Sequence, residues 1–106
     1  MKVTLKQFFS LGDGRLSTEI GDVYKMLNYI FDMNIYTHQI PTAMRKLQEV
    51  NPEWFKEGVS LINLIKSTED TDDFEHLMKV IDTDYPDFKV ELGKVDFEIE
   101  FSAGLF

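Results

Sequence analysis

Apolar positions recur with a helical period through the first half of the chain and with a period of two near its end. From Thr18 to Asp32, residues Ile20, Val23, Tyr24, Leu27, Ile30 and Phe31 fall at the i, i+3, i+4, i+7 spacing of one helical face. Ser17 or Thr18 supplies an N-cap oxygen there. A second helix is predicted over 38 to 50, where Ile40, Ala43, Met44, Leu47 and Val50 repeat the stripe. Thr37 is its cap, and Pro41 is tolerable because it lies in the first turn. Two short-linked amphipathic helices imply a helical hairpin. Asn51-Pro52 then stops the helix and starts a short turn holding Trp54 and Phe55. Val59 to Ile65 is apolar but too short for its period to decide, and it reads as a strand or extended segment.

A third helix starts near Thr71, its expected cap. Asp72 and Asp73 place negative charge at the positive end, Asp72 and Glu75 resemble a capping box, and Phe74, Leu77, Met78 and Ile81 form the buried stripe. After Tyr85-Pro86, the segments Phe88 to Leu92 and Val95 to Phe101 flank Gly93-Lys94 and read as a β-hairpin. Pairing Leu92 with Val95 sets Val90 opposite Phe97 and Phe88 opposite Ile99, so every apolar residue lands on one face. A lone hairpin is marginal, so it must pack on the helices and gain a third strand from 1 to 8 or 59 to 65. The expected fold is one α+β domain over 1 to 106: three amphipathic helices on a small antiparallel sheet containing a C-terminal β-hairpin.

Composition narrows the class. The chain is 43% hydrophobic with nine Phe, which excludes a disordered polyelectrolyte despite a net charge of −8. With no Cys it has no disulfide frame and no thiolate nucleophile, which fits a reducing cytoplasm. The start, Met1 to Gln7, lacks the apolar core of a signal peptide, and no apolar run approaches the roughly 18 residues of a membrane span. The charge is strongly split. Residues 1 to 68 hold seven acidic and eight basic side chains, whereas 69 to 106 hold twelve acidic and three basic. Such a surface is repelled by nucleic acid and anionic membranes and drawn to basic proteins.

The outward face of the expected hairpin concentrates that charge. It presents Asp87, Lys89 and Glu91 on one strand and Asp96, Glu98 and Glu100 on the other, so Glu91 faces Asp96 and Asp87 faces Glu100. Like charges directly opposite cost stability. Alternate strand residues stand about 7 Å apart, and carboxylates in such a row can occupy Arg and Lys sites built for phosphates. The expected partner-binding face is therefore Asp87, Glu91, Asp96, Glu98 and Glu100, with Asp82 and Asp84 nearby. The plainer reading is an edge hairpin that keeps charge outward to stay soluble and unpaired.

Catalytic and metal readings find less support. Asp82-x-Asp84-x-x-Asp87 resembles a calcium loop only superficially, because its sixth position is Asp87 rather than Gly and its twelfth is Gly93 rather than Glu. His38 and His76 stand on separate helices without HExxH spacing, the serines lack a G-x-S-x-G context, and Gly12-x-Gly14 lacks a third glycine. No enzyme, cofactor or metal site is expected. The basic residues are scattered, which speaks against direct nucleic-acid binding.

Four runs carry a family resemblance: Gly14-Arg15-Leu16-Ser17, Gly21 to Tyr29, Ile35-Tyr36-Thr37-His38-Gln39-Ile40-Pro41, and Asn51-Pro52-Glu53. Together they resemble a family of small uncharacterised bacteriophage and prophage proteins with a Thr-His-Gln-aliphatic-Pro box after a Tyr-containing helix. The family usually has Arg after the box proline, and here Thr42 takes that place. The positions carried over are Tyr24, Thr37, His38, Gln39 and Pro41, and their ordinary role would be to lock the junction between two helices. What the resemblance implies is an early-expressed accessory protein in the cytoplasm of an infected bacterium, monomeric or homodimeric. The expected function is a host-defence antagonist of the anti-CRISPR or anti-restriction type, in which the acidic face imitates nucleic acid on a basic host protein such as a nuclease. The alternative is a structural or adaptor protein that binds partners through Thr37-His38-Gln39 and the aromatics Tyr36, Trp54 and Phe55.

Overall fold

Leu5, Phe8, Phe9 and Leu11 are inaccessible to solvent, and they belong to one short helix at the centre of the fold. The computed structural model describes residues 1–95. Strand β1 (Lys2–Thr4) leads into helix α1 (Leu5–Gly12), followed by α2 (Ile20–Phe31), a 3-10 turn (Thr37–Gln39), α3 (Ile40–Val50), α4 (Glu53–Glu69), α5 (Phe74–Asp84) and strand β2 (Lys89–Glu91). The α+β class is as expected. Five helices stand where three were predicted.

Helix α1 is built by its first residue pair and by what surrounds it. Thr4 accepts from the Gln7 amide at 3.0 Å while the Gln7 side chain accepts from the Thr4 amide at 2.9 Å, a reciprocal cap that starts the helix immediately after β1. The helix then packs against α2, α4, α5 and both strands. Its crossing with α4 is close because Gly12 and Gly58 leave room for the Phe8 ring. A Cβ on Gly58 would lie 2.5 Å from that ring, so a side chain there must displace the core. Phe8 also meets Phe55 edge-on, with centroids 5.8 Å apart. Ser10 and Ser17 are buried but satisfied, 2.8 Å from each other.

Several local expectations are corrected by tertiary structure. The extended reading of 59 to 65 fails because these residues are inside α4, whose inward stripe is Phe55, Gly58, Ile62 and Ile65. Trp54 and Phe55 begin that helix rather than occupy a separate turn. Helix α2 is capped at Glu19 without a side-chain bond, while Thr18 donates instead to Asp22 at 2.5 Å and Ser17 turns into the core. The cap of α5 is Asp73, which accepts from the His76 amide at 2.9 Å; Thr71 accepts from the Asp73 amide, and Asp72 is drawn into ion pairs. Three helices end on left-handed residues, Asp32, Asn51 and Asp70, a position that short polar side chains tolerate best after glycine.

The sheet also differs from the hairpin prediction. Strand β2 pairs antiparallel with β1, with Val3 opposite Val90 and both buried. The Leu92 amide donates to the Met1 carbonyl at 2.8 Å. The Val95 amide, expected to close the turn onto Leu92, donates instead to the Ile30 carbonyl at 2.8 Å. The predicted second strand from residue 96 onward lies outside the described residues. Its neighbour β2 does show the expected alternation, Lys89 and Glu91 outward and Val90 inward.

Candidate functional site

Folding brings the acidic second half of the sequence onto the cations of the first. Lys6 lies 3.2 Å from Asp82, the amino terminus 2.9 Å from Glu91, and Arg15 and Lys66 lie 2.8 and 3.1 Å from Asp72. The tightest of these contacts centre on Asp13. Its side chain is 8% exposed and receives Arg15 and Lys66, each at 2.6 Å. The Arg15 guanidinium also lies over the Phe9 and Phe74 rings and donates to the Asp72 carbonyl at 2.8 Å. Burial pushes the Asp13 carboxyl up, but the hydrogen bonds and charges of Arg15 and Lys66 outweigh it and hold the group at about 2. This cluster joins α1, α4 and the start of α5. It is structural, and sequence reasoning missed it because its members are separated by up to 59 positions.

The carboxylates left over gather at the other end of α5. Asp82 and Asp84 are in its last turn, which contains no basic residue, and Asp87 follows in the turn to β2. Backbone carbonyls make that end the negative pole of the helix, so these charges are disfavoured where they stand. Only Asp82 finds a counter-ion, Lys6, and the pair is half exposed. Among the described residues Asp84 and Asp87 make no ion pair, and both are exposed. Glu91 is held below its ordinary range by its hydrogen bond from the amino terminus, and is therefore less available than predicted. Asp82 and Asp84 are helical, so the calcium-loop pattern is not a loop. The remaining predicted residues, Asp96, Glu98 and Glu100, lie outside the described residues.

The predicted box has a different character. The Tyr24 hydroxyl bonds to that of Thr37, which ties α2 to the turn before α3. Gln39 is buried and its side chain accepts from the Tyr36 amide at 2.9 Å, while Asn28 accepts from the Ile35 amide at 2.7 Å. Pro41 occupies the first turn of α3, as its missing N–H requires. These three contacts tie the α2–α3 junction together. Tyr36, 61% exposed, and His38 are exposed with ring planes 2° apart and centroids 6.3 Å apart, and Thr37 and Pro41 are exposed beside them. Trp54 and Phe55 pair with each other instead, and among the described residues no ring contact joins the two pairs.

A family profile matches residues 3–60, from β1 into the middle of α4. The chain belongs to the DUF7736 family, a domain of unknown function. No curated protein and no solved structure matches it. In this DUF7736 protein the matched part contains the whole box, Tyr24 through Pro41, together with α1 and Gly58. Helix α5, strand β2 and the acidic end lie beyond it. No described helix is long and apolar enough to cross a membrane.

Proposed function

We propose that this chain is a non-enzymatic binding protein whose acidic end, at Asp82, Asp84 and Asp87 with Glu91 and the more distal Asp96, Glu98 and Glu100, occupies a basic surface on a partner protein. One observation carries the reading. Asp82, Asp84 and Asp87 crowd the negative pole of α5, where a sequence selected only for folding would place Lys or Arg. A Lys- and Arg-rich channel that holds phosphates would accept such a row of carboxylates. The resemblance to small bacteriophage and prophage proteins makes a host nuclease the first partner to test, and the role that of a host-defence antagonist of the anti-CRISPR or anti-restriction type.

The test is a pull-down from bacterial lysate with the full chain, at low salt and at about 1 M salt, where the screening length falls to about 3 Å. The expected result is capture of a basic protein at low salt, lost at high salt and lost at low salt with Asp84→Lys/Asp87→Lys. Equal capture by that variant sinks the acidic-end reading. A second reading, an adaptor that binds through the box, is favoured by the exposed Tyr36–His38 stack. Capture abolished by Tyr36→Ala and insensitive to salt would select it instead.

A further inference from the structure

The pairing of β2 has a polarity that determines what its other edge can do. In an antiparallel ladder, residues alternate between those bonded to the partner strand and those whose N–H and C=O point away from it. The Leu92 amide bonds to Met1, and Val90 stands opposite Val3. Val90 and Leu92 therefore turn their backbone groups toward β1, and Lys89 and Glu91 turn theirs away. Among the described residues no main-chain group bonds to that outer edge. Beside it is a groove of about 280 Å³ lined by Trp54, Glu57 and Gly58 of α4 and by Phe88 to Glu91. Phe88 is 43% exposed, and Gly93 packs so closely on the Trp54 indole that a Cβ would lie 2.8 Å from its nitrogen. The indole is thus held as a wall of the groove, and the space suits one large apolar side chain.

We infer that the outer edge of β2 and this groove form an acceptor for an extended strand of a partner protein, with one apolar side chain seated against Trp54, Gly58 and Phe88 and basic side chains on either side. The inference rests on the acidic end being a partner-binding surface, and gives that surface a docking mode. Backbone groups on an edge are a template for a further strand, and the adjoining pocket selects which side chains that strand carries. Charge selects the partner's sign. Glu57 lines the groove with no ion pair among the described residues, Glu91 adds a carboxylate that is paired with the amino terminus, exposed Asp87 immediately precedes the lining residue Phe88, and Lys89 is the one cation in the lining. An acidic strand would be repelled, and a second copy of this chain brings a net charge of −8.

The probe is a short capped peptide of alternating Lys and Val, added to the full chain while amide exchange is followed by NMR and Trp54 by fluorescence. The expected result is a saturable Trp54 shift and slowing of Lys89 and Glu91 amide exchange by about tenfold or more. The same peptide N-methylated at alternate amides should give neither, because it cannot pair with the edge. A Glu/Val peptide should bind at least about tenfold more weakly. The inference is overturned if Lys89 and Glu91 are already protected in the free chain. It also fails if their protection rises with the protein's own concentration, which would assign the edge to a second copy. Binding that leaves those amides exchanging freely, equal binding of the N-methylated peptide, or no binding overturns it as well. The pull-down reads charge at Asp84 and Asp87 whereas exchange reads the edge, so the two proposals fail separately.

Discussion

At the amino-terminal end of α5 stand Asp72, Asp73 and Glu75; at its carboxyl-terminal end stand Asp82, Asp84 and Asp87. The first group is integrated into the fold. Asp73 caps the helix, Glu75 lies in the first turn, and Asp72 meets Arg15 and Lys66. The second group opposes the helix dipole and has one half-exposed counter-ion between three charges. Equal numbers of carboxylates thus make opposite contributions at the two ends of one helix. Net charge along a sequence therefore does not say which carboxylates the fold uses. Position relative to helix poles and to cations from distant segments does, and it divides the acidic half of this chain into a structural part and a part that folding does not explain.

Removing the anchor at the first end is the largest expected effect. Asp13→Asn leaves Arg15 and Lys66 converging on a neutral group and should destabilise the chain by about 2 kcal/mol in urea unfolding. That is below the range for a fully buried pair because Arg15 is 37% exposed. The pH dependence gives a second readout. The folded value of about 2 is below the ordinary 3.8, so the contribution is present above pH 3.8 and lost as pH falls through the folded value. Wild-type stability should therefore fall between about pH 4 and pH 2, and the Asp13→Asn curve should be shallower there. Asp72 is held low by the same cations, so part of the slope should survive. A variant as stable as the wild type at pH 7 would show that the first end of α5 is not anchored by this cluster.

The cap is the next step down. Asp73→Ala removes the acceptor for the His76 amide and should cost about 1 kcal/mol. Thr71→Ala, at the residue the sequence nominated as cap, should cost less, since its hydroxyl serves only the Asp73 amide. Reversed magnitudes would mean that α5 starts earlier than the structure places it.

These assignments show how much was readable before the fold was known. The stripes of α2, α3 and α5 were legible in outline because apolar side chains recur over three turns, although Ile20 and Val50, counted in them, are exposed and Met26, left out, is buried. Helix α4 was not, because its inward stripe includes Gly58, invisible to a count of apolar residues, while Leu64 is exposed on the other side. Helix α1 is too short for a period to emerge, yet Thr4-Leu5-Lys6-Gln7 is a capping-box pattern and would have marked its start. The outward Lys89 and Glu91 of β2 were readable from alternation, and the place of Tyr24, Thr37 and Gln39 at a helix junction from the flanking stripes. A strand drawn from 1 to 8 or 59 to 65 was readable, and β1 is the first of these; its register against β2 was not, since a neighbouring segment offered one of equal quality. Nor could sequence show which carboxylates are neutralised: Arg15, Lys66 and Lys6 reach Asp13, Asp72 and Asp82 only through packing.

The smallest expected effect tests the comparison most directly. Asp84→Lys exchanges a charge that opposes the α5 dipole for one that complements it, at an exposed position with no ion pair to lose among the described residues. If the carboxyl-terminal end serves binding rather than folding, the variant should be more stable than the wild type by about 0.5 kcal/mol at low ionic strength, and the gain should shrink with salt. The same substitution should weaken capture of the basic partner. A gain in stability coupled to a loss of binding is the signature of a residue retained against the interest of the fold. A loss of stability would mean that Asp84 has a structural role after all, and the two ends of α5 would then no longer differ in kind.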